Sequence, residues 1–258
     1  MSYVGTGFHG WQSQPSGNTI QDHVEKALST FLRQDTKVVA GSRTDSGVHA
    51  EHQVISFKSD ISFEVHRLLK GCNALLPQPI KLHYIEKVAD DFHPILSSKG
   101  KLYRYRIWKQ NSVSPFMEPY CWIVRNLDCK ILSSSSLDLV GLHNFKSFCA
   151  KDGSSKTFER NILDIKIVDT DHYLELYVLG EGFLKQMVRN MVGTLVEIGL
   201  GKRDAGCIPS ILLEQRREAA GRTAPAEGLS LVKTYFDKIP KRINLDEIRP
   251  ELVGFRII

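Results

Sequence analysis

Residues 37–57, KVVAGSRTDSGVHAEHQVISF, hold the reading of this chain. Residues 37–40 (KVVA) and 52–57 (HQVISF) are short, β-branched and apolar, the pattern of two strands. Between them runs Gly41-Ser42-Arg43-Thr44-Asp45-Ser46-Gly47-Val48-His49-Ala50, a loop at strand ends, where a rigid scaffold presents reactive side chains. Asp45 follows Arg43 by two residues and precedes His49 by four. Gly41 and Gly47 permit close approaches that a β-carbon would forbid. An aspartate so placed can be a nucleophile, a base or a turn-former.

Working outward, Ile20, Val24, Ala27, Leu28, Phe31 and Leu32 recur at helical spacing, with Thr19 as N-cap and Asp22 three positions on. Residues 63–76 predict a second helix that Pro77 stops, and 80–88 a third strand. The second half repeats the theme. Strands are predicted at 102–108, 161–168, 173–179 and 229–236, and helices at 134–142, 183–199 and 208–218. Gly199 and Gly201 cap the long helix. The order is β-α-β-β-α-β read twice, the ferredoxin-like plan of an α/β (α+β) protein.

The predicted architecture is therefore two ferredoxin-like halves, 1–98 carrying the Asp45 loop and 99–258, sharing one mostly antiparallel sheet. The first copy lacks its opening strand, which would leave inner edges unpaired. Either the true start lies upstream or another segment, such as Leu252–Ile258, fills the gap.

Composition narrows the function. The chain has 258 residues, 42% hydrophobic and 24% charged, with net charge +5. This is an ordinary globular balance with a mild basic excess that suits a phosphate-bearing partner. Five scattered cysteines include no C-x-x-C pair, which argues against a zinc site or a disulfide framework and for thiols in a reducing cytosol. The apolar run 184–199 is broken by Lys185, Arg189 and Glu197 and does not span a membrane. The expected location is cytoplasmic. No Walker loop, dinucleotide fingerprint or metal-ligand cluster is present in the sequence.

The 41–50 loop resembles the signature GRTDAGVHA of the TruA family of tRNA pseudouridine synthases. Ser42 stands where that motif has Gly, and Ser46 where it has Ala. Four other passages share the resemblance: Gly10-Trp11-Gln12-Ser13-Gln14; Asp91-Phe92-His93 followed by Lys101-Leu102-Tyr103-Arg104-Tyr105; Gly182 to Gly193; and Ala224-Pro225-Ala226-Glu227-Gly228-Leu229-Ser230-Leu231. Val4 departs from the family's usual Asp.

The resemblance implies the pseudouridine synthase fold and isomerisation of uridine to pseudouridine in the tRNA anticodon arm, at positions 38–40, by a homodimer. It makes Asp45 the catalytic nucleophile and Arg189 its ion-pair partner. Tyr103 becomes the ring against the target base, Leu229 an apolar wall, Arg43 the residue that fills the space of the flipped base, and Lys185 a phosphate contact. The product is an isomer, so neither a redox cofactor nor a nucleotide triphosphate is required, and without a metal-ligand cluster in the sequence no metal is expected. Two other readings compete. A non-catalytic ferredoxin-like RNA-binding module would not require Asp45 and Arg189 together. An aspartic protease would need a second D-[ST]-G, which the sequence lacks.

Overall fold

The computed structural model describes residues 1–153 and 155–248. The first part of the chain forms β1 (Ser2–Tyr3), α1 (Ile20–Leu32), β2 (Val38–Ala40), β3 (His49–Ala50), β4 (Ile55–Phe57), α2 (Val65–Leu75) and β5 (Ile80–Lys81). The remainder forms β6 (Gly100–Trp108), β7 (Trp122–Ile123), α3 (Cys129–Ser136), β8 (Gly141–Asn144), β9 (Glu159–Asp169), β10 (Tyr173–Gly180), α4 (Met187–Gly199), α5 (Ile208–Glu214), β11 (Leu229–Tyr235) and α6 (Leu245–Ile248).

One sheet runs through both parts in the order β5-β1-β3-β11-β6-β10-β9-β8. The strands β11-β6-β10-β9 lie in the fourth-first-third-second order of a ferredoxin-like unit. In β5-β1-β3 the fourth-first-third part of that order repeats, while β2 pairs with β4 in a separate two-stranded sheet. The two parts meet where β3 and β11 pair in parallel, His49 beside Ser230 and Ala50 beside Leu231. All other pairings except β6 with β7 are antiparallel.

The opening strand expected to be absent is present as a two-residue piece. Tyr3 pairs with Ala50 on one side and Ile80 on the other, so the inner edge is closed. Two residues cannot display a period, which is why the sequence pattern misses them. The proposed filler, Leu252–Ile258, lies outside the described residues.

Several boundaries move for local reasons. The helix expected at 134–142 begins at Cys129, because the Asp128 carboxylate accepts from the amides of Lys130 and Ile131. Ser134 and Ser136 then sit inside the helix and turn their hydroxyls back to the carbonyls of Ile131 and Ser133. The helix expected from 183 starts at Met187, after Gln186 adopts a left-handed φ of 58°. The strand expected over 80–88 ends at Lys81. The run 208–218 is α-helical only to Glu214, and a 3-10 turn follows at Arg217–Ala219. Where capping chemistry is explicit, the sequence and structure agree. Thr19 and Asp22 form the reciprocal capping box of α1, and Gly201 (φ +67°) closes α4 by donating to Ile198.

Alternation along β6 separates the two faces of the sheet. Tyr103, Tyr105 and Ile107 join the main core with α1 and α4, whose Met187, Met191 and Leu195 are buried. On the other face Leu102 packs with Tyr177, Leu179, Val232 and Ile243. Beside them Arg104 and Arg106 close on Glu175 at 3.7 and 2.6 Å, and Arg104 also holds Glu51 at 2.6 Å. Among the described residues no helix is long and apolar enough to cross a membrane.

Candidate active site

Asp45 stands on a loop that four buried groups hold from beneath. Gln53, fully buried, donates from Nε2 to the Ser42 carbonyl at 2.7 Å and accepts the Ser42 amide on Oε1 at 3.2 Å. Its amide also donates to the Tyr3 hydroxyl at 3.3 Å, and that hydroxyl is 2.8 Å from Thr44 Oγ1. The Trp11 amide donates to the Thr44 carbonyl at 3.0 Å, and its ring is 1% exposed. Gly10 lies so close that an added β-carbon would come within 2.9 Å of the Thr44 carbonyl oxygen. The Gly10-Trp11 pair is thus part of the loop's seating.

After Asp45 the chain turns through Gly47 at φ +80°, with the Val48 amide returning to the Asp45 carbonyl at 3.1 Å. His49 fastens the far end. Its Nδ1 accepts the Gly5 amide at 3.0 Å, so the proton lies on Nε2, which donates to the Glu227 carbonyl at 3.0 Å. Burial keeps the His49 pKa below the ordinary histidine value, and the neutral ring suits both bonds.

Arg189 meets this loop from the first turns of α4. Its Nη1 donates to Asp45 Oδ2 at 2.8 Å, and its Nε donates to the Ala224 carbonyl at 2.8 Å. The Ala224 amide returns to the Arg189 carbonyl at 3.0 Å. The guanidinium is therefore fixed before it reaches Asp45. Side-chain exposures of 14% for Arg189 and 22% for Asp45 place the pair in a cleft, partly withdrawn from water. Asp45 Oδ1 carries no hydrogen bond among the described residues and remains open to a reacting partner.

Tyr103 is 8% exposed and packs edge-on against Phe183, with ring centres 4.9 Å apart. Its hydroxyl is 3.4 Å from Ser42 Oγ. Burial pushes the Tyr103 pKa up to about 12; the Ser42 contact opposes this and the Asp45 charge adds to it. The phenol stays neutral at physiological pH. Leu229, 6% exposed, opens β11 opposite Tyr105, whose hydroxyl donates to the Pro225 carbonyl at 2.8 Å.

The structure thus brings Asp45, Arg189, Tyr103 and Leu229 to one side of the central strands. Arg43 is exposed on the same loop and makes no hydrogen bond or ion pair among the described residues. Lys185 reaches Asp152 at 2.6 Å, both largely exposed. Among the described residues no group of three or more His, Cys, Asp or Glu could hold a metal ion.

Sequence reasoning missed two supporting residues. Gln53 lies in a strand-like apolar run, and its full burial shows only in the fold. Asn190, also fully buried, donates to the Phe148 carbonyl and accepts from Arg217 at 2.9 Å and Thr223 at 2.7 Å. It ties the segment before Ala224 to α4. For Asn190 the available signal was an amide inside an otherwise apolar helical stripe; for Gln53 it was an amide inside a strand-like run.

Comparison with known proteins places the chain among tRNA-modifying enzymes. A family model described as tRNA pseudouridine synthase matches residues 137–237. The tRNA pseudouridine synthase A of Bacillus licheniformis is 41% identical over 240 residues, covering 92% of this chain and 97% of that one. The tRNA pseudouridine synthase A of Acetivibrio thermocellus is 37% identical over 237 residues, with the same coverage.

Proposed function

The chain belongs to the tRNA pseudouridine synthase A family, and we propose that Asp45 is its catalytic nucleophile, acting on uridines 38–40 of the tRNA anticodon arm. The observation that carries this reading is the ion pair of Asp45 with Arg189, built by two separate parts of the chain beside a buried tyrosine.

Pseudouridine formation breaks the bond from ribose C1′ to uracil N1, turns the base and joins C1′ to C5. The C5 hydrogen leaves as a proton and N1 gains one, so no net oxidation occurs. In this reading the Asp45 carboxylate attacks the sugar or base, and its free Oδ1 is the attacking atom. Arg189 holds the other oxygen and fixes the direction of approach. The Tyr103 ring supports the detached uracil, and Leu229 keeps water from C1′ while the base turns. Tyr103 acts as a face and not as a proton source, in keeping with its raised pKa.

The target base must first leave its stack. Arg43, exposed and unpaired on the Asp45 loop, fills the vacated space. Lys185 exchanges Asp152 for a phosphate of the bound RNA. The two ferredoxin-like halves, 1–98 and 99–258, work as one cytoplasmic enzyme, and a homodimer lets each tRNA span two subunits.

The test is tritium release from tRNA whose uridines are tritiated at C5. Wild type should release tritium and Asp45→Asn should not, while both bind tRNA. Release by the Asn variant at the wild-type rate would remove Asp45 from the chemistry.

A further inference from the structure

Arg222 lies with its guanidinium carbon 4.5 Å from the centre of the Trp122 ring. An exposed arginine ordinarily samples many rotamers; this one is anchored along its backbone and its side chain. Its amide donates to Glu197 Oε1 at 3.0 Å. Its carbonyl oxygen lies against Gly193 of α4, where an added β-carbon would come within 1.7 Å. A guanidinium held over a ring in this way keeps its N–H groups as donors for a further acceptor. Among the described residues no hydrogen bond or ion pair uses those groups.

Arg222 lines a concavity with Arg125, Asn126, Lys202, Val124 and Leu200, and among the described residues no carboxylate lines it. Arg125 and Lys202 have no ion-pair partner among the described residues. Glu197, the acid that holds the Arg222 amide, is already engaged by Arg203 at 2.6 Å. Lys202 follows the C-terminus of α4, where a cation offsets the helix dipole, and that accounts for one charge of the three. Arg125 follows β7 and Arg222 precedes β11, so the three cations come to this place from three separate parts of the chain.

The concavity is also tied to the candidate active site. Trp122 stands edge-on to Tyr105 with centres 6.4 Å apart, and Arg222 lies two residues before Ala224, which holds Arg189. Charge brought there is set at a fixed place relative to Asp45.

We propose that Arg125, Lys202 and Arg222 form a binding site for phosphodiester groups of the bound tRNA outside the reacting centre, with Arg222 preset on Trp122 as its fixed donor. This rests on the reading of the chain as a tRNA-modifying enzyme. The guanidinium edge offers two parallel N–H bonds to the two free oxygens of a phosphate, and the other cations add charge. Contacts of this kind position the RNA without reading its sequence.

The test measures binding of an unmodified full-length tRNA transcript over a range of KCl concentrations, together with tritium-release kinetics. For Arg125→Gln/Arg222→Gln we expect Kd and KM to rise about 10-fold and the salt slope to shrink by about 2, with kcat at saturating tRNA within about twofold. Arg222→Lys keeps the charge and loses the stacked fork, so it should keep most of the slope but lose about threefold in affinity. Lys241→Gln removes a charge from the segment that covers the opposite face of the sheet and should change neither. A folded double variant with wild-type Kd and slope overturns the proposal, as does equal weakening by Lys241→Gln. Where the double variant fails to fold, Arg125→Gln alone, at an exposed position, decides by the same criteria at about half the slope change. A wild-type protein that neither binds tRNA nor releases tritium overturns the parent reading as well.

Discussion

Arg189 Nη1 reaches Asp45 Oδ2 at 2.8 Å across a sequence separation of 144 residues, and the same guanidinium holds the Ala224 carbonyl. One side chain therefore joins the Asp45 loop, α4 and the segment that leads into β11. Arg189→Leu should lower kcat by at least about 100-fold, the scale of losing one preorganised donor at a reacting centre. Breaking a fully buried pair costs about 3–5 kcal/mol, and this partly exposed pair should cost less. Tritium release and thermal melting, read together, separate the two effects. A rate near wild type would deny the pair its role.

Gln53→Leu removes both bonds to the Ser42 backbone and the bond to Tyr3. Each buried polar group left unpaired costs about 1–3 kcal/mol, so the melting temperature should fall by several degrees. Turnover should fall further than folded population accounts for, because Asp45 loses its fixed approach. Activity per folded molecule equal to wild type would reduce Gln53 to a purely structural part.

Gly193→Ala places a β-carbon 1.7 Å from the Arg222 carbonyl oxygen. Backbone must move, and overpacking of this kind costs about 1–3 kcal/mol. The expected result is a lower urea midpoint together with a loss of turnover, since the shifted segment also carries Ala224. An unchanged midpoint would show that α4 and residues 221–224 are not packed as described.

Alkaline stability follows from the raised tyrosine pKa values. Burial lifts Tyr103 to about 12 and lifts Tyr3 and Tyr105 higher still. A group that holds its proton more tightly when folded contributes stability that is present below its unfolded pKa and lost as pH rises through the folded one. Urea midpoints should thus hold steady to about pH 10, the ordinary tyrosine value, and fall from there towards 12. Tyr103→Phe should make that fall shallower. An unaltered slope would mean that Tyr103 ionises as freely in the fold as outside it.

The sequence made visible those features whose chemistry is local. Thr19 and Asp22 announce the start of α1, and Gly201 the end of α4. The Asp45 loop is legible because small residues, an arginine and a histidine crowd into ten positions. Features whose cause is distant stay hidden. The two residues of β1 form a strand only because β3 and β5 flank them. The third strand of the first unit breaks between Ala50 and Ile55, where Glu51 donates its amide across to Leu231 and Gln53 to Met1. Nothing in residues 51–54 signals that exchange of partners. The late start of α4 turns on one left-handed glutamine, a residue type with no strong preference for that conformation.

The parallel contact of β3 with β11 has a kinetic consequence. Asp45 lies on the β3 side, while Arg189, Ala224 and Leu229 lie on the β11 side, and the direct strand pairing there spans His49–Ala50 and Ser230–Leu231. Loosening of that short ladder would part the carboxylate from its guanidinium while the strands on either side keep their own pairing. Inactivation on mild heating should therefore precede unfolding, with the enzyme losing its rate while its circular dichroism is still that of the native protein.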